Sequence, residues 1–187
     1  MAITLIIGPM FSEKTNTLIS HIRKFAYTKK KCAIIKHTID TRYTTENILK
    51  SHSNDTLHPS DETDHMGEIQ IMSANKLENA DVDNVQVIGI DEGQFFSDLK
   101  KYVELWANNG KEIVISALDG DFHRNPFGQI CDIVPLCENI IKLHGICMIC
   151  KNNESSFTKK LNINDENIVD IGGKDKYISC CRKCYML

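Results

Sequence analysis

Apolar positions in this chain follow two patterns: short runs without alternation, and stretches that repeat at helical spacing. Ile3-Thr4-Leu5-Ile6-Ile7 is the first run and predicts a buried strand. Leu18, Ile19, Ile22, Phe25 and Ala26 then share one helical face, and Lys29-Lys30-Lys31 close that helix with charge suited to its negative end. Cys32-Ala33-Ile34-Ile35 predicts a second strand, so the chain opens as a strand–helix–strand unit with parallel pairing. Glu68–Met72 predicts a short strand, with Ser73 capping a brief helix that ends near Asn79. Val85–Ile90 is β-branched and unalternated, as a central parallel strand should be. Ser97–Asn108 predicts a helix carrying Leu99, Tyr102, Val103 and Trp106 on its core face, with Gly110 as its C-cap. Glu112–Leu118 is the next strand. Pro126-Phe127-Gly128 break the chain before a helical or mixed stretch to Glu138, and Ile140–Leu143 is the last sheet strand. The class is therefore α/β with a parallel sheet.

Two regions depart from this rhythm. From His37 to Gly67 the chain is polar and poor in large apolar residues, which predicts a long loop or lid. Its histidines (His52, His58, His65) are too scattered for a ligand set and read as exposed loop residues, and Arg42, by itself a surface arginine, could reach a phosphate if this segment is a lid. After Leu143 the pattern becomes short strands and turns. This divides the chain into residues 1–143, an α/β unit, and residues 144–187, a small C-terminal unit.

Candidate chemistry sits where strands end. Gly8-Pro9-Met10-Phe11-Ser12-Glu13-Lys14-Thr15 follows the first strand and opens the first helix, the layout of a phosphate-binding loop. Backbone N–H groups would wrap phosphate oxygens, Lys14 would supply a cation, and the Thr15 hydroxyl would ligate Mg²⁺. Glu13 stands where the pattern has glycine. A left-handed backbone there would cost a non-glycine residue about 1–2 kcal/mol, and an inward carboxylate would repel phosphate. Asp91-Glu92 ends the central strand, at the sheet edge where ligands bind in such folds. Asp91 is a candidate Mg²⁺ ligand and Glu92 a candidate general base.

Cys147-x-x-Cys150 and Cys181-x-x-Cys184 form paired knuckles, a pattern that predicts a closed four-thiolate structural zinc site. Redox thiols are the weaker alternative. Cys32, Cys131, Cys137 and Cys180 remain as thiols, mostly buried.

Composition narrows the rest. In 187 residues with 42% hydrophobic and 25% charged side chains, a net charge of −3 gives no electrostatic reason to bind nucleic acid. No apolar run is long enough to span a bilayer, and the first run enters the glycine loop directly, unlike a signal peptide. Eight cysteines without a secretion signal fit a reducing compartment.

Several stretches together carry a family resemblance. They are Gly8-Pro9-Met10-Phe11-Ser12 with Lys14-Thr15; Asp40-Thr41-Arg42-Tyr43; Ile88 through Phe96; Ala117-Leu118-Asp119-Gly120; Phe122 with Arg124-Asn125-Pro126-Phe127-Gly128; Ile171-Gly172-Gly173 with Asp175-Lys176-Tyr177; and the four knuckle cysteines. In these the chain resembles the zinc-containing thymidine kinases of cell cytosol, bacteria and large DNA viruses. The resemblance implies a RecA-like α/β core and a C-terminal zinc-ribbon lasso that closes over the nucleoside. It implies ATP-dependent phosphorylation of the thymidine 5′-hydroxyl to dTMP in pyrimidine salvage, with deoxyuridine as a second substrate. Glu92 would be the base, Asp91 and Thr15 the Mg²⁺ positions, and Gly8 through Thr15 with Arg42 the ATP phosphate site. Met10, Gln94, Phe95, Leu118, Phe122 and Phe127 would surround base and sugar. Thr158, Ile168, Ile171, Gly172, Gly173 and Tyr177 would form the closing loop. A cytoplasmic homotetramer inhibited by dTTP is implied as well. Glu13 and Asp170 depart from the family pattern. The alternative from Glu13 is a weakened or inactive homologue that holds nucleoside or dTTP.

Overall fold

A computed structural model describes residues 1–39, 66–161 and 175–187, together with the backbone of two short strands between the first two segments. In chain order the elements begin with β1 (Ile3–Gly8), α1 (Lys14–Tyr27) and β2 (Cys32–His37), then an antiparallel pair of β3 (Leu49–Lys50) and β4 (Thr56–Leu57). β5 (Ile69–Ala74), β6 (Val87–Asp91), α2 (Leu99–Asn108), β7 (Glu112–Leu118), α3 (Ile130–Ile133) and β8 (Asn139–Lys142) follow. The chain ends with β9 (Gly145–Ile146), β10 (Glu154–Ser155), β11 (Phe157–Lys160), β12 (Tyr177–Cys180) and α4 (Arg182–Tyr185).

Six strands form one parallel sheet in the order β5-β2-β6-β7-β1-β8. Helices cover both faces, which explains the unalternated apolar runs. Leu5, Ile35, Ile90 and Ile115 pack with Leu99, Val103 and Trp106 of α2 on one side. Ile6, Ile34, Val87 and Val114 pack with Leu18, Ile19 and Ile22 of α1 on the other. Each such fully buried side chain contributes about 1.5–3 kcal/mol. Among the described residues no helix is long and apolar enough to cross a membrane.

The order puts β7 between β1 and β6, with Gly8 opposite Leu118 and Ile90 opposite Ile115. The loops after β1 and β6 therefore leave the same sheet edge on either side of β7, and a ligand can lie between them. Beyond β8 the antiparallel pairs β9–β10 and β11–β12 build the C-terminal lobe.

One predicted element is corrected. Ser73 lies inside β5, and the brief helix is a single 3₁₀ turn at Leu77–Asn79. Its N-terminal N–H groups find a cap from outside: the Asp98 carboxylate accepts from Leu77 N at 3.1 Å and Glu78 N at 3.0 Å. The remaining shifts are at boundaries, such as α2 starting at Leu99 rather than Ser97. Trp106 is buried in the core as expected. Of the leftover thiols Cys32 and Cys180 are buried, Cys137 is half-buried and Cys131 is exposed.

Candidate active site

Gly8 is required by space. A Cβ there would meet the Leu143 carbonyl oxygen at 2.5 Å and Ser12 Oγ at 2.8 Å. Past Gly8 the loop turns back on itself around one acceptor. The Pro9 carbonyl receives hydrogen bonds from Ser12 Oγ at 2.8 Å and from the buried Lys14 Nζ at 2.7 Å. Phe11 and Glu13 both hold left-handed backbone, with φ of 60° and 62°. The glycine position of the pattern thus does demand positive φ. The Glu13 side chain is exposed and accepts a hydrogen bond from Asn16 Nδ2, while its carbonyl takes the Thr17 N–H at 2.9 Å to start α1. The Asn16 bond ties the carboxylate to the first turn of α1.

Glu13→Gly should relieve that strain. We expect a gain of about 1 kcal/mol in unfolding free energy and a several-fold lower KM for ATP. Denaturant melts and initial rates check both, and equal values for the two proteins contradict the strain.

Asp91 ends β6 almost fully buried, at 5% exposure. Its carboxylate accepts the Thr15 hydroxyl at 3.1 Å and, closer still, the hydroxyl of buried Ser116 on β7. The strand between β1 and β6 thus contributes a residue that orients the acid. Sequence reading passed over Ser116. The signal available was a lone hydroxyl in an otherwise apolar strand. Glu92 follows with left-handed backbone, φ 53°, a conformation that turns the chain sharply off the sheet edge. Gln94 links this acid to the next strand end: its Nε2 donates to Glu92 Oε2 at 2.6 Å, and its Oε1 accepts from Leu118 N at 3.0 Å. Gly128, at φ +56°, presses against the Gln94 backbone, where a Cβ would stand 2.2 Å from the carbonyl oxygen.

Aromatic rings stand beside these groups. Phe95 meets Phe127 edge-on at 5.7 Å and His37 at 5.9 Å. Phe122 faces Tyr177 of β12 at 6.4 Å, with the buried Lys160 ammonium 5.1 Å from the Phe122 ring. Thr158 on β11 spends its hydroxyl on the loop after β1, accepting from Met10 N at 3.0 Å. The C-terminal lobe therefore touches the loop directly. Arg42, Ile168, Ile171, Gly172 and Gly173, with Asp170, lie outside the described residues.

His37 carries a titration that can be followed. Burial pushes its pKa down, outweighing the Asn75 carbonyl bond and the Asp98 charge that raise it. In the fold Nδ1 accepts from Ile39 N at 3.0 Å, so the ring is neutral there. A histidine held neutral adds stability above its unfolded pKa of about 6.5, and that stability is lost as pH falls through the lower folded value. An NMR titration should give a His37 midpoint below that of a peptide histidine. A midpoint above it contradicts the packing.

The four knuckle cysteines converge, their sulfurs all within 4.8 Å of one another and Cys150 and Cys181 4.0 Å apart. Tetrahedral Zn–S bonds of about 2.3 Å put sulfurs about 3.8 Å apart, so the cluster fits zinc. Burial raises the Cys147 thiol, but backbone N–H groups of Cys150, Cys181 and Ile149 outweigh it and bring it to about 6. Burial, and the hydrogen bonds its own S–H gives to the neighbouring sulfurs, push Cys184 up to about 12. A cation among them would stabilise every thiolate at once.

Comparison with known proteins agrees with this geometry. The family described as "Thymidine kinase" matches residues 1–185. A thymidine kinase of Myxoma virus (strain Lausanne) is 42% identical over 183 residues, covering 98% of this chain and 95% of the viral one. Thymidine kinase 1 of Dictyostelium discoideum is 45% identical over 185 residues, 98% of this chain and 77% of that one. The cytosolic thymidine kinase of Bos taurus is 42% identical over 185 residues, 98% of this chain and 71% of its own. Matched over residues 1–185, and 42–45% identical to these relatives along 98% of its length, the chain belongs to the thymidine kinase family.

Proposed function

We propose that this chain phosphorylates the 5′-hydroxyl of thymidine with the γ-phosphoryl group of ATP. The observation that carries the reading is the Thr15–Asp91 hydrogen bond of 3.1 Å, which joins the phosphate loop to the acid pair. Backbone N–H groups from Gly8 to Thr15 would bind the triphosphate, with Lys14 leaving the Pro9 carbonyl for a phosphate oxygen and Arg42 adding charge. Thr15 and Asp91 would hold Mg²⁺, which neutralises charge on the phosphates when bound. Glu92 would accept the 5′-hydroxyl proton, held in line by Gln94. Met10, Phe95, Leu118, Phe122 and Phe127 would wall the base and sugar, with residues 144–187 as a lasso closing through Tyr177 and excluding water. Zinc on Cys147, Cys150, Cys181 and Cys184 would hold that lasso in shape.

The inactive alternative finds little support, because the Glu13 carboxylate is engaged outside the loop by Asn16. Deoxyuridine is proposed as a second substrate and dTTP as an inhibitor spanning both subsites. A homotetramer is supported by open surfaces: the edge strand β8 leaves Ile140 46% exposed, and Tyr27 on α1 is 64% exposed. Free thiols and zinc suit the cytosol. The test is product analysis with ATP, Mg²⁺ and each nucleoside. We expect dTMP, and dUMP more slowly. Hydrolysis of ATP with no nucleoside monophosphate formed rejects the assignment.

A further inference from the structure

We propose that the Tyr185 hydroxyl is a positioning group that ties the cysteine cluster to the nucleoside pocket. This rests on the reading of Phe122 and Tyr177 as walls of the thymidine site. Tyr185 directly follows the ligand cysteine Cys184 and closes α4, its N–H donating to the Cys181 carbonyl at 2.9 Å. Lys159 on β11 donates to the carbonyls of both Cys184 and Tyr185 at 3.3 Å. Gathering the four sulfurs therefore fixes where the Tyr185 ring stands.

From that place its hydroxyl donates to the Phe122 carbonyl at 2.7 Å, across a sequence separation of 63. The Arg124 guanidinium lies 4.3 Å from the centre of the Tyr185 ring and 5.8 Å from Phe157, and Arg182 lies over Phe157 at 4.8 Å. Arg124 of the loop thus lies over both rings of the lobe, and this contact helps hold the loop against it. Within the loop the Asp121 carboxylate accepts from His123 N at 2.9 Å and Asn125 N at 2.8 Å. The turn is internally rigid, so the hydroxyl that holds its carbonyl also sets where the Phe122 ring meets Tyr177 and Lys160. Order around the four cysteines reaches the pocket through this hydrogen bond together with the Arg124 contact beside it.

Tyr185→Phe removes the donor and keeps the ring under Arg124. A bond of this kind shifts an equilibrium by about two- to tenfold. We expect the KM for thymidine to rise by about that factor, with kcat and the KM for ATP little changed. Zinc content should match the parent, and the melting temperature should fall by only about a few degrees. Hydrogen exchange at the His123, Arg124 and Asn125 amides should quicken. Unchanged exchange overturns the latch itself. Faster exchange with unchanged thymidine KM overturns its link to the pocket. Failure of the parent chain to phosphorylate thymidine is a separate result, which rejects the proposed function while the exchange readout still decides the latch.

Discussion

With Glu92 as the proposed base, Glu92→Gln should leave a folded protein that binds thymidine but turns it over about 10²–10⁴-fold more slowly, the usual loss when a general base is removed. The amide preserves size and can still meet Gln94, whose Nε2 lies 2.6 Å from the Glu92 carboxylate. Only proton acceptance is lost, so kcat falls and thymidine affinity by calorimetry stays within a few-fold. Asp91 cannot take over. It is buried, and its Oδ1 already accepts the hydroxyls of Thr15 and Ser116. A variant with near-parental kcat would mean that the proton leaves by another route.

Cys184→Ser is the second large effect, and it acts on stability. Structural zinc sites contribute about 10–16 kcal/mol of apparent binding free energy in small zinc domains, far more than the lobe's short strands can replace. The lobe's buried centre is largely the cluster itself, with Phe157 and Tyr185 packed against it. We expect the variant to lose its metal and the lobe its protection from protease, while the six-stranded sheet persists with its own cores. Thymidine phosphorylation should collapse with the lobe. Metal analysis and limited proteolysis check this directly. A variant retaining a full complement of zinc and parental resistance would contradict a structural role for the cluster.

The sheet was legible in sequence because each of its inner strands is buried on both faces. Leu5 and Ile6 are adjacent in the chain yet enter opposite cores, so the run Leu5-Ile6-Ile7 could only be a covered strand. Glu13 was legible as a strained position because the phosphate-loop pattern fixes backbone conformation through its glycine, and φ of 62° follows. What escaped were polar side chains whose partners lie far along the chain. Ser116 reaches Asp91 across 25 residues, Asp98 caps a turn 21 residues back, and Tyr185 reaches Phe122 across 63. A serine in a strand or an acid before a helix has no local mark of such a task. Periodicity records burial, and it is silent about which hydroxyl meets which carboxylate. The family resemblance brought Phe122, Thr158 and Tyr177 forward without geometry. The structure adds that Thr158 accepts from Met10 N, so the lobe contacts the loop after β1 directly.

A crystal structure with adenosine and thymidine joined through their 5′ oxygens by a phosphate chain tests the arrangement most directly. The phosphates should lie on the backbone from Gly8 to Thr15, with the thymidine 5′ oxygen about 2.6–3.2 Å from the Glu92 carboxylate and the thymine between Phe122 and Tyr177. Phosphates bound elsewhere, or a 5′ oxygen beyond reach of Glu92, would contradict it.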